Sequence, residues 1–283
     1  ALQELGKLDE AIASYNNALA IKPDHVEAHN NLANTLHELG QSEEAVNCYY
    51  KALNIKPGWA EVHNNLGITL LDQGKLNEAV ASYHKALAIE PHYAEAHNNL
   101  GTAFLDLGML EEAVESYQKA LSIKPNFAKA CSNLGTALKE LGRLGEAVIC
   151  YRDALTIEPK FAEVYNNLGN TLHALGKLEE AVTCYREALA VRPEFVEAGR
   201  NLLFVLLYFP GFSPGELFNE HLRFSENHAG GISPPAEDLT NEPTADRRLR
   251  IAYLSSDFWD HPVGRNILPL LSSHDQAKFE VYC

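Results

Sequence analysis

Residues 26–59 read VEAHNNLANTLHELGQSEEAVNCYYKALNIKPGW, and the spacing inside this stretch decides the fold. Ala28, Leu32, Leu36 and Leu39 fall at helical intervals and give a first helix one apolar stripe. Gly40 supplies the permissive backbone that ends it. Ala45, Val46, Tyr49, Ala52 and Leu53 then follow the spacing i, i+1, i+4, i+7, i+8 of a second helix. Glu43 and Glu44 sit in its first turn, where the helix dipole favours negative charge. Pro57 forbids continuation and turns the chain. Such a pair exposes an apolar face on its own and needs a neighbour to hide it.

The neighbours are present. Proline recurs at Pro23, Pro57, Pro91, Pro125, Pro159 and Pro193, every step being 34 residues. Gly6, Gly40, Gly74, Gly108, Gly142 and Gly176 keep the same step, as do the tyrosines from Tyr15 to Tyr185 and the alanines from Ala11 to Ala181. A period of 34 is the signature of tetratricopeptide helix pairs. Full units run 26–59, 60–93, 94–127, 128–161 and 162–195, after a partial repeat over 1–25. The small residues Gly67, Gly101, Gly135 and Gly169 let paired helices approach closely. Because an array of this kind begins with a capping element, further chain upstream is expected.

The pattern decays after residue 195. Val196 to Tyr208 retains Asn201 and Leu202 in register, but Leu203 replaces the small residue and Pro210 ends the helix. Ser213-Pro214-Gly215-Glu216 reads as a capping box opening a helix to about His228, closed by Gly230-Gly231. Residues 196–228 are thus degenerate and connecting helices, and 229–247, rich in Pro, Gly, Glu and Asp, a linker. In 248–283, Leu249 to Leu254 and Phe279 to Cys283 read as strands flanking a helix from Val263 to Leu271. This opening of a βαβ unit is too short to bury a sheet by itself, so the sequence reads as cut at both ends. The expected fold is an all-α right-handed superhelix, an α-solenoid, followed by an incomplete α/β lobe.

Composition narrows the function. The 283 residues carry 23 Lys+Arg against 38 Asp+Glu, a formal charge of −15, which argues against a broad nucleic-acid footprint. The longest apolar run, Leu202 to Phe209, is far short of the ~20 residues a membrane span needs, and no secretory signal opens the chain. Five cysteines make no disulfide scaffold, so a soluble, cytoplasmic, reducing setting is expected.

Asn31, Asn65, Asn99, Asn133, Asn167 and Asn201 recur at one first-helix position beside the buried stripe. Asparagine donates and accepts at once, which suits peptide amides whatever their side chains. Units stacked ~10 Å apart against a peptide advancing ~3.3 Å per residue make these asparagines candidate contacts to extended segments of protein substrates in the concave groove. An inter-helix hydrogen bond or a solvated face is the alternative. Asn30, Asn64, Asn98, Ser132 and Asn166 precede them, with no lysine to clamp a C-terminal carboxylate. Glu27, Glu61, Glu95, Glu163 and Glu197 bias ligands toward basic segments or simply complement helix dipoles, with Lys129 the exception. His29, His63 and His97 share a slot with Cys131 and Tyr165; the slot wants bulk, and ~10 Å spacing excludes a shared ion with bonds of ~2 Å. Cys48, Cys150 and Cys184 read as packing residues. No metal- or cofactor-binding motif is found.

One cluster has catalytic potential: Ser255-Ser256-Asp257-Phe258-Trp259-Asp260-His261-Pro262, where a strand hands over to a helix. His261 suits a base or an orienting donor; a helix cap at Asp257 or Asp260 with His261 on the surface is the alternative. The asparagine-bearing array, together with Arg248-Leu-Arg-Ile-Ala-Tyr-Leu-Ser-Ser-Asp-Phe-Trp-Asp-His-Pro and Lys278-Phe-Glu-Val-Tyr-Cys, resembles the tetratricopeptide-containing protein O-linked N-acetylglucosamine transferases. Leu202 to His228 is similar to the bacterial members. The resemblance implies an inverting glycosyltransferase of two Rossmann-like lobes (GT-B type), using UDP-GlcNAc to modify Ser or Thr of proteins. It assigns the active-site histidine to His261 and places the donor lobe beyond Cys283, so residues 1–283 alone are expected to be inactive. Arg265 stands where members often have a second histidine. A related branch transfers fucose. A non-enzymatic peptide-binding scaffold is the reading from another class.

Overall fold

The computed structural model describes residues 7–208, 213–229, 249–252 and 279–282. The chain divides into two units, 1–231 and 232–283. In the first, α1 (Leu8–Ile21) precedes five helix pairs: α2 (Val26–Glu38) with α3 (Ser42–Ile55), α4 (Ala60–Asp72) with α5 (Leu76–Ile89), α6 (Ala94–Asp106) with α7 (Leu110–Ile123), α8 (Ala128–Glu140) with α9 (Leu144–Ile157), and α10 (Ala162–Ala174) with α11 (Leu178–Val191). A closing pair follows, α12 (Val196–Leu206) and α13 (Pro214–Ala229). Each 34-residue period is thus one hairpin plus its joints, the all-helical tetratricopeptide-type solenoid the repeats predict.

The short joint inside each pair is set by a glycine. Gly40 has φ 77°, a left-handed conformation that Gly74, Gly108, Gly142 and Gly176 share. It lets the Gln41 N–H reach back to the Leu36 carbonyl at 2.8 Å, satisfying a helix-end acceptor. The long joint between pairs is set by proline: Lys56, before Pro57, leaves the helical region at φ −130°, ψ 83°.

Packing explains the repeated tyrosine. Tyr49, Tyr83, Tyr117, Tyr151 and Tyr185 are the largest side chains wholly removed from solvent. In four pairs the ring lies against a bare glycine backbone: a Cβ added at Gly67, Gly101, Gly135 or Gly169 would fall 2.5–2.8 Å from the facing tyrosine Cε1. The buried residues join into two clusters, 32–103 and 113–206, with Phe104 packed on both. Consecutive first helices touch, α2 with α4 and onward to α10 with α12, while among the described residues no pair of second helices makes comparable contact. The first helices therefore line the inner side of the stack.

At α13 the expected capping box is present: the Ser213 N–H and Oγ donate to Glu216 Oε2 at 2.8 and 2.7 Å, and the Glu216 N–H returns to Ser213 Oγ at 3.3 Å. These bonds hold the Glu216 carboxyl below its ordinary pKa. In the second unit, β1 (Leu249–Ala252) and β2 (Phe279–Tyr282) pair in parallel, Leu249 opposite Phe279 and Ala252 opposite Tyr282. The predicted helix from Val263 to Leu271, residues 230–247 of the predicted linker, and the Ser255–Pro262 cluster with His261 lie outside the described residues.

Candidate functional site

All six repeat asparagines sit half-buried on first helices. Four of them bridge adjacent pairs. Asn99 Nδ2 donates to Asn64 Oδ1 and Asn133 Nδ2 to Asn98 Oδ1, both at 3.0 Å. Asn65 Nδ2 donates to Asn34 Oδ1 at 3.3 Å, and Asn201 Nδ2 to Asn166 and Asn170 Oδ1, each at 3.0 Å. Within a helix, Asn64 Nδ2 reaches Asn65 Oδ1 at 3.4 Å and Asn98 Nδ2 reaches Asn99 Oδ1 at 3.3 Å. The result is a wire of amides from Asn133 back to Asn34. The inter-helix hydrogen bond weighed as an alternative is thus real at four positions.

That bonding does not exhaust the groups. An amide has two N–H donors and two acceptor lone pairs, and Asn99 uses one of each within the protein. The wire breaks at Ser132, whose hydroxyl instead stands where Asn64 and Asn98 present an amide. Across that break, the Asn167 side chain has no protein partner among the described residues, although its backbone carbonyl accepts from Thr171 Oγ1 at 2.8 Å. Asn166 donates instead to Glu197 Oε1 at 3.0 Å. A space of about 210 Å³ opens on this inner side between Asn34, His37, Tyr49, Asn65 and Ile68. At the other end Phe204 stacks edge-on with His173 and Tyr208, and Phe204 and Tyr208 are largely exposed.

The remaining ladders are structural. His29, His63 and His97 each meet the carbonyl of the proline six residues earlier through Nε2, at 2.8, 3.0 and 3.0 Å. Their Nδ1 atoms are buried without a partner among the described residues, which fits a neutral ring protonated on Nε2. Burial pushes His63 and His97 below the ordinary imidazole pKa. Among the repeat glutamates, Glu95 accepts from Lys124 Nζ at 2.7 Å, and Glu163 pairs with Arg192. These hydrogen bonds lower both carboxyl pKa values. The same cations lie over Phe127 and Phe195, as Lys56 lies over Trp59 at 4.7 Å. Burial raises the Cys150 and Cys184 thiols to about 11, so they are poor nucleophiles. Cys48, Cys131, Cys150 and Cys184 are all free. Among the described residues no helix is long and apolar enough to cross a membrane.

The family model described as "Cilia and flagella-associated protein 70 C-terminal domain" matches residues 24–213, and one described as "TPR repeat" matches residues 1–40. Solved structures share the fold. MamA is 26% identical over 57% of this chain and 95% of its own, with a TM-score of 0.53. PilW, a widely conserved type IV pilus biogenesis factor, is 25% identical over 72% and 93%, with a TM-score of 0.65. YrrB, described as a TPR protein with an unusual peptide-binding site, is 23% identical over 65% and 95%, with a TM-score of 0.53.

Proposed function

This chain belongs to the family of the cilia and flagella-associated protein 70 C-terminal domain, with its tetratricopeptide repeats, and from that premise we propose that it is a protein-binding scaffold whose first-helix face receives an extended polypeptide. One observation carries the reading: a register of half-buried amides lines the inner side, and each keeps hydrogen-bonding capacity that the protein does not use. A peptide main chain presents the complementary N–H and C=O groups at every residue. YrrB, of the same fold, is described as having a peptide-binding site.

Asn167 is the discriminating position, because its side chain bonds to no other described residue. Asn167→Ala should weaken capture of an extended peptide several-fold while the melting temperature stays within about 1 °C, since no protein hydrogen bond is lost. Peptides selected from a display library would be titrated by fluorescence polarisation. Unchanged affinity in Asn167→Ala and in Asn31→Ala would remove the groove assignment.

A second reading makes this chain the acceptor-holding arm of a protein O-linked N-acetylglucosaminyltransferase. Its support is the sequence resemblance over 248–262 together with the parallel pairing of β1 and β2. Parallel neighbours need a crossover between them, the unit from which α/β lobes are built. In this reading UDP-GlcNAc is the donor, His261 lies near the acceptor, and client segments are held by the asparagine row. The complete open reading frame should transfer N-acetylglucosamine to a protein hydroxyl, whereas residues 1–283 and the His261→Ala form should not. A complete frame that ends without further α/β sequence would refute it.

A further inference from the structure

Gly199 breaks a pattern that every preceding unit keeps. Its register slot holds His29, His63, His97, Cys131 and Tyr165 in turn. Glycine inside a helix costs up to ~1 kcal/mol relative to alanine. At Gly67, Gly101, Gly135 and Gly169 a tyrosine ring explains the glycine. Gly199 lies on the wall of a cavity of about 290 Å³ between α11, α12 and α13. Its walls are Leu189, Pro193, Gly199, Leu202, Leu203 and Phe224. At one side Glu220 holds the Arg186 and Arg223 guanidinium groups at 3.1 and 3.4 Å.

The other units display what such a place accepts. Three of them place there an imidazole whose N–H meets the carbonyl of the proline six residues before. Pro193 stands six residues before Gly199, lines the same cavity, and receives no side-chain donor among the described residues. From this geometry we infer that the α11–α12–α13 cavity is a binding site for a small aromatic ring carrying a hydrogen-bond donor, an imidazole or a phenol. The ring enters where the absent side chain would lie, and its N–H or O–H donates to the Pro193 carbonyl. An apolar cavity of ~150 Å³ already admits benzene, so the size suffices. The matching cleft between α1 and α3 is open to about 360 Å³ even with His29 on its wall, but there the His29 ring takes the Pro23 carbonyl and leaves no equivalent acceptor, so the acceptor and not the volume sets the Gly199 cavity apart.

The test titrates the intact chain with 4-methylimidazole, p-cresol and toluene by ligand-observed NMR, with melting temperature as a second readout. Saturable binding of the first two is expected, with toluene at least tenfold weaker because it has no donor. Gly199→His should abolish binding by restoring the missing ring. Gly199→Cys, which copies Cys131, serves if that variant does not fold, and should weaken binding at least tenfold. A capped Gly-Tyr-Gly peptide distinguishes the source: tighter binding than p-cresol assigns the site to a polypeptide side chain, weaker binding to a free small molecule. Absence of saturable binding, equal binding of toluene, or binding retained by both Gly199 variants would overturn the inference.

Discussion

Removing one oxygen from Tyr83 should stabilise this protein, and removing the same oxygen from Tyr117 should destabilise it. Both rings are wholly buried against a glycine. The hydroxyl of Tyr117 meets Thr102 Oγ1 at 3.2 Å, and Tyr49, Tyr151 and Tyr185 find Asn34, Thr136 and Asn170 at the same register. Ile68 stands there in the second unit, and the Tyr83 hydroxyl is buried with no partner among the described residues. A buried unsatisfied group costs ~1–3 kcal/mol, and a satisfied bond contributes ~0.5–1.5 kcal/mol net. Tyr83→Phe should therefore gain about 1 kcal/mol and Tyr117→Phe lose about 1 kcal/mol. At ~2–4 °C per kcal/mol for a unit of this size, the two variants should melt ~4–8 °C apart. Ile68→Thr supplies the absent acceptor, and in that background Tyr83→Phe should become destabilising. Amide exchange read pair by pair locates the effect, since repeat arrays open by neighbouring units. Shifts of the same sign for Tyr83→Phe and Tyr117→Phe, or no reversal in Ile68→Thr, would refute the reasoning.

Acidification should weaken the fold in two stages. Burial first, and nearby Lys85 for His63 or Lys119, His92 and His84 for His97, depress these imidazoles. The folded chain thus binds fewer protons than the unfolded one below ~6.5, so stability is full above that pH and falls as pH drops toward the folded values. A second loss follows at lower pH, as Glu95 and Glu163, held down by Lys124 and Arg192, take up protons. Thermal melts from pH 8 to 4 check both; a flat profile between pH 7 and 5.5 would exclude the histidine contribution. Gly101→Ala gains up to ~1 kcal/mol of helix propensity but drives a methyl to 2.7 Å from Tyr117, an overpacking cost of ~1–3 kcal/mol. A net loss near 1 kcal/mol is expected by urea denaturation, and an unchanged midpoint would mean the ring moves aside freely. Asn133→Ala removes the bond to Asn98 and leaves that buried acceptor without its donor, so it should lower the melting temperature by a few degrees, unlike Asn167→Ala.

The helical array was legible because each hairpin writes the same constraints again: Gly40 and its equivalents end the first helices, and Pro57 and its equivalents separate the pairs. Local reading erred at Leu39, counted in the buried stripe; α2 ends at Glu38, and Leu39 lies exposed in the turn that Gly40 creates. The bonds that tie one hairpin to the next were not legible. Asn99 and Asn64 are 35 residues apart, and only stacking distance brings them together. The histidine bonds had a sequence signal, the constant step of six from proline to histidine, which a reading for bulk passed over. The same comparison down one column exposes Ile68 among Asn and Thr, and Gly199 among His, Cys and Tyr. In a repeat, the informative residue is the one that departs from its column. The β1–β2 pairing was foreseen as strands from their apolar runs, and the structure supplies their register.

Ser132 has a mechanical consequence. On either side of it, neighbouring hairpins are stitched by amide bonds, whereas the seam at α8 and α10 lacks that stitch among the described residues and is held by packing and by one exposed ion pair, Arg152 of α9 with Glu180 of α11, which contributes little in water. A solenoid pulled or twisted along its axis yields first where its coils are least fastened. This stack therefore behaves as two stiff springs in series, with its compliance concentrated at one joint, so a long client able to bend there meets two rigid rails rather than one uniform coil.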